Sequence, residues 1–136
     1  SPMLYQLHTG WVENYNEGQE PLIYAVSTVE TISQTNLGFV FSDGHGIAAY
    51  TQWFDDLKDL DKIDWNMVYA KYWADTVDDM DRQRRKQAEF LVHRFCPWDM
   101  INRIGVLNNA VKDRVEHILD RKNISMPVEV RRHWYY

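Results

Sequence analysis

Arg84-Arg85-Lys86-Gln87-Ala88-Glu89-Phe90-Leu91-Val92 constrains this chain more than any other stretch. A basic run meets a single carboxylate, and that carboxylate opens an apolar run of strand-forming residues. The order reads as a loop that ends in a strand, with Glu89 at the junction between a charged mouth and a buried edge. A carboxylate there can hydrogen-bond a sugar hydroxyl while the basic run, with Arg82 just upstream, faces phosphates. The plainer alternative is a solvated strand residue paired with Arg85, which contributes little. From these residues alone the plainer alternative is the commoner outcome.

The rest of the chain narrows the choice. Its 136 residues fit one domain with a modest core, and 45% hydrophobic with 14% aromatic residues is too apolar for a disordered chain. The net charge of -5 conceals a division: residues 1–81 hold 3 Lys/Arg against 14 Asp/Glu, and residues 82–136 hold 12 against 6. Nucleic-acid binding needs a local basic surface rather than a basic protein, although the two halves can equally attract one another. No apolar run reaches the length of a membrane span and no signal-peptide pattern opens the chain. With the single Cys96, which reads as a small buried hydrophobe, this points to a reducing, cytoplasmic setting. The opening Ser1-Pro2, without an initiator Met, reads as a piece of a longer or processed protein.

Punctuation along the chain predicts an α+β fold with short elements. Strands are expected over residues 3–8, 22–26, 37–41, 88–92, 101–107 and 126–131. Ser27 or Thr28 caps a short helix to Gln34, and Asn109 caps an amphipathic helix to Leu119 with Val111, Val115, Ile118 and Leu119 on one face. Between them, residues 45–86 read as a long irregular insertion. Within it Ile47–Leu57 has helical spacing, Asp64 caps a helix from Trp65 to Trp73, and 75–80 is an acidic loop. No Gly-rich phosphate loop follows a strand, so a doubly wound nucleotide-binding sheet is excluded.

Among candidate sites, His8, His45, His93, His117 and His133 share no metal-ligand spacing with one another or with Cys96. Asp55, Asp56, Asp59, Asp61 and Asp64 lack the calcium-loop pattern and read as a solvated helical face. His45, between Gly44 and Gly46, either contacts a ligand or sits in a plain turn. The six tryptophans read mostly as core. However, Trp53, Tyr69, Tyr72 and Trp73 precede the run 82–86, and stacking surfaces beside cations are what single-stranded nucleic acid needs.

Four blocks then carry a resemblance: Ser1-Pro2-Met3-Leu4-Tyr5, Phe39-Val40-Phe41-Ser42-Asp43-Gly44-His45, Leu60-Asp61-Lys62-Ile63-Asp64-Trp65 and Lys86-Gln87-Ala88-Glu89-Phe90-Leu91-Val92. With the closing Val128–Tyr136, they resemble the DarT family of DNA ADP-ribosyltransferase toxins, in its thymidine-modifying branch. The resemblance implies an ADP-ribosyltransferase-like split β-sheet core with a long substrate-loop insertion, and NAD as co-substrate without a metal. Glu89 would be the catalytic glutamate. Residues 45–86 would form the substrate-recognising loop, with His45, Lys71, Arg82, Arg84, Arg85 and Lys86 as substrate contacts. The resemblance further implies a base in single-stranded DNA as acceptor and a DarG-type macrodomain antitoxin as partner. Two departures accompany it. The family's His-containing NAD-docking motif and catalytic Arg lie before the block matched by Ser1, so NAD-docking residues are expected upstream. Lys71 stands where related proteins often carry Arg. The rival expectation is an incomplete transferase that binds single-stranded DNA or an antitoxin without turnover.

Overall fold

The computed structural model describes residues 2–136, which fall into two compact units: residues 36–96 form one, and the described residues up to 35 together with 97–136 form the other.

The discontinuous unit opens with α1 (Pro2–Thr9), where a strand was expected. The reason is periodic. Leu4 is buried, and Tyr5 and His8, one helical turn apart, both bring their rings to Tyr136. Gly10 at φ 75° then leaves the helix in the left-handed region that glycine alone adopts freely. Strand β1 (Tyr24–Val26) follows, and α2 (Val29–Ser33) is capped by Thr28, whose hydroxyl accepts from Thr31 N at 3.1 Å. After residue 97 come β5 (Arg103–Val106), α5 (Asn109–Arg121) and β6 (Val128–Val130). The sheet order is β1-β5-β6, with β5 antiparallel to β1 and parallel to β6.

Helix α5 starts one residue earlier than expected in its cap: Asn108, not Asn109, accepts from Val111 N at 2.9 Å. Val111, Val115 and Leu119 pack onto Ile104, Val106 and Val128 to make the unit's dry core. Ile118, assigned by periodicity to the same face, is 53% exposed, because a helix packed on one small sheet buries a single narrow stripe. Gly105 is glycine because the Trp134 ring lies where a Cβ would stand, 2.3 Å from its nearest atom.

The second unit holds β2 (Phe39–Ser42), β3 (Trp53–Phe54) and β4 (Phe90–Val92) in an antiparallel sheet ordered β3-β2-β4. Phe41 faces Phe54 on one side and Phe90 on the other, and the three rings with Phe39 form an aromatic stack across the strands. Residues 45–86 are more regular than expected. They contain β3, a 3-10 turn (Leu57–Lys62), α3 (Trp65–Tyr69) and α4 (Arg82–Lys86). The helix expected over Ile47–Leu57 does not form: Ile47 is 86% exposed, and Trp53 and Phe54 pair with β2 instead. The acidic cluster is likewise not a helical face. Asp56 caps the 3-10 turn and Asp64 caps α3, accepting from Met67 N at 3.0 Å.

Two further expectations fall to the geometry. Cys96 is exposed rather than buried. Four of the six tryptophans, Trp11, Trp53, Trp65 and Trp98, are at least 42% exposed and serve as surface rather than core. No helix of the described residues is long and apolar enough to cross a membrane.

Candidate active site

Glu89 is the last of the three residues between the end of α4 and the start of β4. Its backbone is held on both sides by the neighbouring strand: Ser42 N donates to Glu89 O at 2.9 Å, and Glu89 N donates to Ser42 Oγ at 3.2 Å. Ser42 is almost fully buried, and its own hydroxyl proton goes to Gly44 O at 2.6 Å. This anchors the main chain of Glu89 while its side chain stays about one-third exposed.

That side chain meets His45. The imidazole Nδ1 stands 3.3 Å from Glu89 Oε1, so a proton on Nδ1 is donated to the carboxylate. Beyond Oε1, the other carboxylate oxygen looks towards Gly46, where an added Cβ would stand 3.9 Å from Oε2. The same Cβ would meet the Trp53 indole at 2.9 Å. Gly46 therefore brings the partly exposed Trp53 ring up beside the Glu89 carboxylate. A carboxylate, an imidazole and a flat apolar ring converge on one exposed spot, which suits a ribose: hydroxyls to the carboxylate, sugar face to the ring.

The loop carrying His45 is fixed by Arg84. Its guanidinium reaches Asp43 at 2.7 Å and Asp81 at 2.7 Å, and its carbonyl accepts from His45 N at 2.9 Å. Gly44 leaves the space for it, since a Cβ there would stand 2.3 Å from Arg84 Nη1. Only 11% of the Arg84 side chain is exposed, and the Tyr50 ring covers it with its centroid 5.0 Å away. The Asp81 carboxyl is held below the usual range by this guanidinium, and Asp79 is lowered in the same way by Arg85.

The basic run is thus a helix rather than a loop, and three of its cations are committed to the protein itself. Arg85 pairs with Asp64, Asp79 and Asp81. Lys86 donates to Val68 O at 2.7 Å and to Ala70 O at 2.8 Å, and burial lowers its pKa. Arg84, Arg85 and Lys86, the expected phosphate contacts, each have acceptors of the protein itself within hydrogen-bond reach. Arg82, like Lys86, is held by a main-chain carbonyl, and Lys71 is placed differently. Both converge on Tyr72, Arg82 donating to its carbonyl at 2.7 Å and Lys71 lying over its ring at 5.6 Å.

The family described as "DarT: ssDNA thymidine ADP-ribosyltransferase" matches residues 1–136. This chain belongs to the DarT family. It is 38% identical over 138 residues to a DNA ADP-ribosyl transferase of Thermus aquaticus, covering 100% of this chain and 59% of that protein, so it spans about three-fifths of that relative's length. Among solved structures it is similar to DarT of Thermus sp. 2.9 in complex with NAD+, with a TM-score of 0.93 and 37% identity, covering 100% of this chain and 68% of that one. The same Thermus protein in complex with ADP-ribosylated ssDNA gives a TM-score of 0.91 at 37% identity, covering 100% and 64%. The fold of this chain is therefore that of the DarT ADP-ribosyltransferases: α+β, with small sheets and short helices.

Within that family fold, Glu89 and His45 come together and Arg84 stands behind them. Ser42, Asp43, Gly46 and Asp81 are members of the site that reading the sequence did not single out, and Trp53 was named there only as a stacking surface. The Asp81–Arg84 and Asp81–Arg85 spacings, three and four residues, were a readable helical signal. Asp43 lies 41 residues from Arg84, and no local pattern announces that pair.

Proposed function

We propose that this chain supplies the catalytic carboxylate and the acceptor-facing segment of a transferase that moves ADP-ribose from NAD to a thymidine base of single-stranded DNA. The observation that carries the proposal is the Glu89–His45 contact beside Trp53, at a backbone step locked by Ser42. When the bond between nicotinamide and ribose breaks, its electron pair leaves with the ring nitrogen and positive charge develops on the ribose. A carboxylate fixed against the ribose hydroxyls stabilises that charge, as in glycoside hydrolysis. His45, bonded to Oε1, holds the carboxylate in one rotamer and leaves Oε2 to the sugar. Because Glu89 itself is anchored through its main chain, the charge is presented without reorganisation, which is where such stabilisation gains most. The base must then be aligned with the sugar carbon, a task for the segment between His45 and Lys86.

Further support comes from what the related Thermus protein binds, NAD+ in one structure and ADP-ribosylated ssDNA in another. For the DNA backbone, Lys71 and Arg82 are the cations we assign, and a DarG-type macrodomain antitoxin is the partner we assign to the product. The test is mass spectrometry of a thymidine-containing oligonucleotide incubated with NAD and the protein. An adduct of one ADP-ribose is expected from the unsubstituted protein and about a thousandfold less of it from Glu89→Gln. Binding of the oligonucleotide without any adduct would favour the rival reading of a non-catalytic binding module.

A further inference from the structure

Helix α3 buries one residue, Met67, and turns its aromatic residues outwards. Trp65 and Tyr69, four residues apart, present rings whose centroids are 6.1 Å apart and tilted by 26°, with Tyr69 80% exposed. Two such rings on a helix surface normally gain from lying against a core; these are stacked on each other in the open. The Trp65 indole nitrogen donates to Leu60 O at 2.8 Å, which fixes the ring in place. Three residues past Tyr69, Tyr72 is a third ring, 77% exposed, under the Lys71 ammonium.

The support beneath these rings is stiff. Arg85 holds Asp64, the N-cap of α3, and Lys86 holds the carbonyls of Val68 and Ala70 at its other end. Both clamps come from α4, and Glu89 follows Lys86 by three residues. The rings are thus built at a set place relative to the carboxylate. Charge agrees with an anionic occupant. Of the surrounding carboxylates, Asp64, Asp79 and Asp81 are matched by Arg84 and Arg85 and Asp75 accepts from Gln83, while Lys71 and Arg82 both sit at Tyr72.

We infer that Trp65, Tyr69 and Tyr72 form a stacking platform for the bases of single-stranded DNA that flank the modified base, with Lys71 and Arg82 facing the intervening phosphates. The inference rests on the proposed function and specifies how its acceptor is held. Base–aromatic stacking tolerates any sequence, so the platform supplies affinity and strand alignment rather than sequence readout. It also selects single strands, because a base in a duplex is already stacked between its neighbours and has no free face to offer.

The test is fluorescence anisotropy with a labelled ten-nucleotide oligo-dT, alongside the same strand carrying abasic sites on both sides of the central thymidine. Tyr69→Ala with Tyr72→Ala is expected to weaken binding of oligo-dT roughly tenfold or more. Tyr69→Phe with Tyr72→Phe keeps the faces and should bind as the unsubstituted protein does. The abasic strand should bind the unsubstituted protein more weakly by a similar factor and be indifferent to the alanine changes. Unchanged oligo-dT affinity in the alanine variant overturns the platform, as does equal loss in the phenylalanine variant or equal sensitivity of the abasic strand. Circular dichroism on each variant excludes loss of fold as the cause. Adduct formation by the unsubstituted protein is scored separately. Adduct with tyrosine-independent binding sinks the platform and leaves the proposed function standing. Tyrosine-dependent binding without adduct sinks the enzymatic reading and leaves the platform.

Discussion

The two compact units are held together by different physics. Around α5 the interior is dry: Ile104, Val106, Val111, Val115, Leu119 and Val128 meet with no charged group among them. Around α4 the organising contacts are ionic and hydrogen-bonded, with Arg84, Arg85 and Lys86 reaching into three different segments. A dry core contributes stability in proportion to area and is indifferent to direction. An ionic lattice contributes less net stability but fixes direction, because an unmatched partner is costly. The unit that carries Glu89 is the one built for direction.

The largest effect should come at the site itself. Glu89→Gln keeps the size and the backbone anchor but removes the charge. It should lower adduct formation by about a thousandfold, on the order of 4 kcal/mol of transition-state stabilisation, while thermal unfolding stays unchanged. A comparable fall in melting temperature would show that Glu89 belongs to the lattice rather than to the reaction.

Next comes the dry core. Ile104 is 2% exposed, and Ile104→Ala should cost about 4 kcal/mol, in the upper part of the range for such truncations. Loss of amide protection in hydrogen exchange should begin in α5, and added salt should not change it. Against this stands Arg84→Met, which strands Asp43 and Asp81 and should cost about 3 kcal/mol. Protection should be lost first in β2 and α4, and activity should fall further than Arg84→Lys allows, since lysine keeps the charge without the fork. Equal patterns of lost protection in the two variants would erase the contrast between the units.

The smallest effect is in acid. Asp79 and Asp81 are held below their usual range, so their contribution is present in full above about pH 4 and is lost as pH falls through the depressed values. Asp81→Asn should flatten the stability curve below about pH 4 and leave it parallel to the unsubstituted protein above. A curve of unaltered slope would place the acid sensitivity elsewhere.

What could be read in advance divides along the same line. The caps at Thr28 and Asp64 and the buried stripe of α5 follow from local chemistry, and the sequence showed them. The place of Glu89 at the entry to a strand was legible because a single carboxylate stood between a basic and an apolar run, whereas a role for it came only from the family resemblance. The outward turn of Trp53 and Trp65 was not, since the default for tryptophan is burial and only the close approach at Gly46 and the Leu60 carbonyl explain their settings. The basic run was legible as charge but not as a helix. Composition reports charge but not whether a partner 41 residues away has already claimed it, as Asp43 claims Arg84. The first helix was misread because six alternating residues suit a strand, and its tertiary partner, Tyr136, lies at the other end of the chain.

Three of the four cations of α4 also leave different marks on descent. Arg84 and Arg85 answer side chains, so a change at either is tolerated only when Asp43, Asp64, Asp79 or Asp81 changes with it; these positions should drift as coupled groups. Lys86 answers main-chain carbonyls at Val68 and Ala70, which every residue possesses. Its neighbours are therefore free to vary while it stays put. Across relatives, Lys86 should look constant and solitary, and Arg84 and Arg85 variable but accompanied.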